Sequence, residues 1–145
     1  MADLVTLPPD TLGGVIDTVP FAGRFQLIPD VFGRMDSLLG QSGIFYAGPQ
    51  TALYRVDGDD MEIRIGVPLP HPLPGFTMFD VAETQALHIR HHGAFDTLPG
   101  VYQALTADVE QRGLVRTGWA REVYRFVAKD ASLNICDVYM DVAQA

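Results

Sequence analysis

The sequence predicts an α+β fold built from two βαββ modules: an antiparallel sheet with two main helices, the halves related by a pseudo-twofold axis and a ligand cleft between them. Three observations lead there. Segments with a two-residue apolar period alternate with two segments of helical period, a proline-rich run divides the chain near its middle, and the parts on either side of it repeat one another. Set without a gap against Gly93–Phe126, the stretch Gly23–Val56 matches at nine of 34 positions, among them Gly23/Gly93, Phe25/Phe95, Pro29/Pro99, Gly43/Gly113, Gly48/Gly118, Tyr54/Tyr124 and Arg55/Arg125. Unrelated segments of ordinary composition would share roughly two.

Taken in order, the first ten residues show no periodic pattern. From Leu12 to Phe21, the alternation of Val15, Asp17 and Val19 marks a half-buried strand. Arg24–Leu39 reads as a helix because Ile28, Val31, Phe32, Met35, Leu38 and Leu39 recur at spacings of three and four, with Gly40 and Gly43 to stop it. Pro29 is read into the first turn, where its missing N–H has no intrahelical partner to lose. Gln50–Val56 and Asp60–Val67 are two strands around the hairpin signal Asp57-Gly58-Asp59, the second with Met61, Ile63, Ile65 and Val67 on one face. Proline at every second position from Pro68 to Pro74, followed by Gly75, allows only an extended connector.

The second half repeats the order. Glu83–His92 is a strand; Leu98, Val101, Tyr102, Leu105 and Val109 mark a helix over Asp96–Arg112, with Asp96 as N-cap and Gly113 as its end; Ala120–Val127 and Leu133–Val142 are the closing strands. A single domain of 145 residues is expected, with module one at about 12–67, the connector at 68–75 and module two at about 83–142. That length buries a core without disulfide or metal.

Composition narrows the function. The chain is 48% hydrophobic with a net charge of −8, a field that repels nucleic acid and favours cations, so direct nucleic-acid binding is not expected. No apolar run approaches the roughly 18 residues of a membrane span. The start lacks a basic region followed by an apolar core, and the single Cys136 has no internal disulfide partner, so the expected location is the cytoplasm. His88, His91 and His92 lie along one strand without a cysteine or paired carboxylate at ligand spacing, so no metal is expected. Phosphate loops, serine nucleophile elbows and basic helices are absent, and no cofactor is implied.

The residue that carries chemistry is Glu122. Alternation in an extended strand puts Ala120, Glu122, Tyr124 and Phe126 on one face and Arg121, Val123, Arg125 and Val127 on the other. A carboxylate in line with aromatic rings is costly to bury unless it is paired, so it is either an exposed or arginine-paired glutamate or one kept for a partner. Tyr54 and Tyr124 hold equivalent places and suit the faces of an organic cation, or else the core. Tyr102 and Phe32 are equivalent residues on the two helical stripes, core residues with an edge toward the cleft. Trp119 flanks the glutamate, and a bulge at the strand start would turn it inward.

Gly48-Pro49 with Tyr54, Gly66-Val-Pro68, His92-Gly93-Ala94-Phe95 and Glu122-Val-Tyr124 together resemble the GyrI-like small-molecule-binding domain, the effector-binding module of AraC- and MerR-type regulators that also occurs free-standing. The last strand, Cys136–Val142, departs from it in lacking the threonine and proline often found there. The resemblance implies paired βαββ modules and a ligand pocket for hydrophobic, frequently cationic compounds, with Glu122 inside. The expected binding residues are Glu122, Tyr124, Trp119, Tyr54, Tyr102 and Phe32, with no catalytic residue if the protein only binds. Two other readings stay open. Some free-standing relatives hydrolyse strained cyclopropane compounds, which would make Glu122 the base that orients or deprotonates water; another relative inhibits DNA gyrase, which would make the chain a protein-interaction module.

Overall fold

The computed structural model describes residues 2–145. The strands are β1 (Asp3–Leu7), β2 (Asp10–Pro20), β3 (Gln50–Asp57), β4 (Asp60–Pro68), β5 (Thr77–Val81), β6 (Thr84–His92), β7 (Leu114–Phe126) and β8 (Ile135–Gln144), and the helices are α1 (Arg24–Gln41) and α2 (Leu98–Gln111). They form two compact units. The first is Asp10–Val81; the second is Ala82–Ala145 together with β1. All the strand pairs within each unit are antiparallel, in the order β5-β2-β4-β3 in the first and β1-β6-β8-β7 in the second. The fold is α+β, and its helix-bearing modules repeat the predicted order strand, helix, strand, strand.

Each repeat has one strand more than the sequence reading gave it, and that strand is exchanged. β1 immediately precedes β2 in the chain, yet it pairs with β6, Asp3–Leu7 lying opposite His88–Thr84. β5 immediately precedes β6, yet it pairs with β2, Thr77–Val81 lying opposite Gly14–Asp10. The two registers are equivalent, so each unit is completed by the leading strand of the other repeat. Both strands are five residues long and edge-bound, too short to show a period, and each is bordered by proline in the sequence or by a loop; that is why neither was expected. The proline-rich run also lies inside the first unit, ahead of β5, and does not mark its border.

α1 starts at the expected residue but does not hold Pro29 in its first turn, and α2 starts later than expected. α1 begins at Arg24 behind Gly23, whose φ of 81° only glycine adopts readily, so Pro29 is the sixth residue and falls in the second turn. There it does remove an intrahelical bond, the one to the Phe25 carbonyl. In the second unit Phe95–Thr97 form a 3₁₀ turn and α2 starts at Leu98, which leaves Asp96 in that turn instead of at the N-cap and Pro99 in the first turn of the helix. Thr97 closes the turn by donating its hydroxyl to the Ala94 carbonyl at 2.6 Å.

Packing follows the predicted faces. Met61, Ile63, Ile65 and Val67 are all buried, and α1, whose Val31 and Met35 are buried, lies on β2 and β4. Leu98, Leu105 and Val109 of α2 meet Leu87 of β6 and Cys136, Val138, Met140 and Val142 of β8 in one core, which also takes in Ala2 ahead of β1. Arg112 fastens that N-terminal end by donating to the Ala2 carbonyl. No helix of the described residues is long and apolar enough to cross a membrane.

Candidate functional site

β7 places the key residues through two irregularities. Between Arg116 and Ala120 the register slips, so that Thr117, Gly118 and Trp119 stand against the single residue Asp141, whose Oδ2 accepts the Trp119 N–H at 3.2 Å. The strand then runs regularly through Glu122, opposite Val138, and Tyr124, opposite Cys136, which puts both on the face covered by α2. Arg125 is the extra residue of a second bulge. The bulge turns Phe126 out of the predicted face; it is exposed, paired with Ile135.

Glu122 is buried, at 7% exposure. Tyr102, reaching down from α2, donates its hydroxyl to Oε2 at 2.5 Å, and Tyr124, two residues along the strand, donates to Oε1 at 2.6 Å. Phe95 packs on Tyr124, the ring centroids 5.3 Å apart and tilted by 56°. The carboxylate thus meets neither arginine nor lysine among the described residues: its partners are two neutral hydroxyls. Burial pushes its pKa above the ordinary value, and the hydrogen bonds from Tyr102 and Tyr124 oppose that shift without cancelling it. Cys136, on the same face, has its thiol pushed up to about 12 by burial and by the Glu122 charge, so it is an inert neighbour and no nucleophile.

Of the six predicted binding residues the structure brings Glu122, Tyr102 and Tyr124 into direct contact. Trp119 is half-buried at the first bulge, three residues before the glutamate. Tyr54 and Phe32 belong to the first unit, where both are half-buried; Tyr54 lies opposite Ile63, and the equivalent of Glu122 is Ala52, fully buried opposite Ile65. Phe95, which packs on Tyr124, is not among the six expected residues, although it ends the His92-Gly93-Ala94-Phe95 motif and is the repeat partner of Phe25. The histidines are engaged elsewhere: His88 Nε2 lies 2.8 Å from Asp137 Oδ1, and His91 Nε2 lies 2.8 Å from Thr97 Oγ1. Among the described residues no three potential ligands are grouped to hold a metal.

Cavities do not by themselves mark the site. One of about 900 Å³ lies in the first unit between β2 and α1, lined by Val15, Asp17, Val19, Val31, Arg34 and Leu38, with Arg34 paired to Asp17 across it. A smaller recess on α2 is lined by Tyr102, the residue that donates to Glu122.

No protein-family model and no curated protein matches the sequence. Solved structures do match over nearly the whole chain. The structure of SAV2435 bound to tetraphenylphosphonium superposes with a TM-score of 0.79 at 15% identity, over 99% of this chain and 94% of that one. The EcmrR C-terminal domain gives 0.72 at 20% identity, over 100% and 98%. The chain has the GyrI-like fold. A hydrolase from Listeria innocua shares it more distantly, with a TM-score of 0.62 at 11% identity over 98% of this chain and 91% of that one. At these identities the likeness establishes the fold, and the GyrI-like fold alone leaves the ligand to be argued from the residues.

Proposed function

We propose that this GyrI-like chain binds a hydrophobic organic cation, with Glu122 as counter-charge and Tyr102, Tyr124, Phe95 and Trp119 as aromatic surroundings. The observation that carries the reading is the buried carboxylate served only by two tyrosine hydroxyls. A carboxylate in such a place costs several kcal/mol unless a positive charge joins it, and the hydroxyls orient it without neutralising it. A lipophilic cation supplies the missing charge, and aromatic faces add about 0.5–2 kcal/mol each. The tetraphenylphosphonium bound to SAV2435 is a ligand of that kind. The overall charge of −8 favours its approach.

Calorimetric titration of the whole chain with tetraphenylphosphonium tests this reading. Saturable one-to-one binding that outcompetes a neutral triaryl compound is expected, and absence of heat up to the solubility limit of several lipophilic cations would refute it. A hydrolytic role rests on the same group, because burial raises the proton affinity of Glu122 toward that of a useful base. Turnover of a strained cyclopropane compound, lost in Glu122→Gln, would replace binding by catalysis as the function.

A further inference from the structure

On the face of the second unit turned away from α2, three cationic or basic side chains converge on one carboxylate. Asp137 is 1% exposed. Arg90 grips it with both arms of its fork, Nε to Oδ1 at 2.8 Å and Nη2 to Oδ2 at 2.9 Å; Arg125 adds Nε to Oδ2 at 2.8 Å, and His88, stacked on the Tyr139 ring, takes the other side of Oδ1. Arg125 comes to this face by the ordinary alternation of β7, two residues on from Val123, which lies opposite Asp137; the bulge at Arg125 redirects only Phe126 after it.

The arithmetic of charge and donors does not close at Asp137. Two guanidiniums share one carboxylate, leaving one positive charge in excess on a chain that is acidic overall. Each guanidinium carries five N–H donors. Arg90 spends two on Asp137, and Arg125 spends one there. The side chains are 53% and 42% exposed, and both guanidiniums reach the same oxygen, Oδ2 of the buried Asp137. Holding two forks in one place removes the rotamer freedom that an anion would otherwise have to freeze out. Nearby Arg121 and Asp141 offset one another, and Asp3, across from His88, adds one exposed negative charge at the far edge.

We propose that Arg90 and Arg125, prearranged by Asp137, form a second binding site whose ligand is a phosphate group, free or as a monoester, bridged by the outer donors of the two guanidiniums. A tetrahedral dianion matches two adjacent forks and the excess charge better than a monovalent anion does. The site lies on the opposite sheet face from Glu122, and it is independent of the cation-binding reading.

The test follows the arginine Nε–H signals of ¹⁵N-labelled protein at constant ionic strength. The probes are inorganic phosphate, phenyl phosphate and vesicles containing phosphatidic acid, with chloride as control. Saturable shifts confined to Arg90 and Arg125 are expected, and Arg90→Lys or Arg125→Lys, which keep a cation on Asp137, should weaken binding at least about tenfold by losing the fork. Response to the soluble probes alone assigns a soluble phosphate compound, and response to vesicles as well assigns a headgroup; either supports the site. Drift shared equally with Arg24 and Arg34, shifts equal to those in chloride, or no loss in both lysine variants would overturn it. Tetraphenylphosphonium affinity should be unchanged in these variants.

Discussion

Replacing Glu122 by Gln removes the charge and keeps the shape, so it separates the electrostatic from the steric part of the site. The carboxylate is 7% exposed and its two hydrogen bonds come from neutral hydroxyls, so a bound cation interacts with it in a largely water-free setting. A charge-assisted contact of that kind contributes about 1.5–3 kcal/mol, or about 10- to 150-fold in Kd for tetraphenylphosphonium. A neutral compound of similar size, such as triphenylphosphine oxide, should change little. Stability carries a second signature. Burial raises the Glu122 pKa above its ordinary 4.5. Between that value and the higher folded-state value the folded protein binds more protons than the unfolded chain, so stability falls as pH rises through the window. The Gln variant lacks this loss: its Tm should equal or exceed that of the wild type at pH 7, and the difference should narrow as pH drops toward 4.5. One of the two tyrosines must then accept from the amide, a rearrangement worth about 1 kcal/mol that limits the gain. Calorimetric titrations with both ligands, and melts from pH 4 to 8, measure all of this. Equal loss of cation and neutral ligand would assign Glu122 a role in shape, and a large drop in Tm with unchanged affinity would make it a structural residue and refute the site.

Three further outcomes follow from particular contacts. Tyr102→Phe keeps the ring and deletes the donor to Oε2, so it should lower stability by about 1–2 kcal/mol at pH 7, and its effect should be smaller in a Glu122→Gln background, where the bond is no longer charge-assisted; a double-mutant cycle reads this. For Asp137, burial alone would raise the pKa, but the bonds from Arg90, His88 and Arg125 outweigh it and hold the carboxyl below its ordinary 3.8. Its contribution is therefore complete above pH 3.8 and lost as pH falls below, so Asp137→Asn should cost about 1–3 kcal/mol near neutrality and show a shallower acid limb in denaturant melts. Removing residues 1–9 takes β1 away, and hydrogen exchange should then accelerate in Thr84–His88 of β6 while β2 and β4 keep their protection; acceleration in the first unit instead would contradict the exchanged-strand pairing.

What could be read in advance followed period and repetition. Ile63, Ile65 and Met35 lie where a two- or 3.6-residue period put them, because a buried face imposes its spacing on the sequence. Glu122 and Tyr124 share a face for the same reason. Period fails where the backbone breaks it: the bulge at Arg125 reverses Phe126, and the three residues set against Asp141 begin β7 well before Ala120. It also fails for β1 and β5, whose five residues each are too few to register and whose partners lie in the other repeat. Tyr102 belongs to the apolar stripe of α2, but its bond to Glu122 joins a helix to a strand, and no local spacing encodes such a meeting.

The repeat itself bears on what that bond is for. Duplication supplied the scaffold twice, including a tyrosine at 54 and 124 and a phenylalanine at 25 and 95. It did not keep the carboxylate twice: Ala52 stands where Glu122 does. Tyr102 differs from its counterpart Phe32 by one oxygen, and that oxygen occurs in the half that has a carboxylate to receive it. A ring serving only to fill the core would gain nothing from a hydroxyl and would bear the cost of burying it, as Phe32 does not. Glu122 and the Tyr102 hydroxyl therefore make sense as one device: the charge is held in an apolar setting by a donor that aims it without neutralising it. An arginine in the same place would have stabilised the empty protein better and left nothing for a cation to complete.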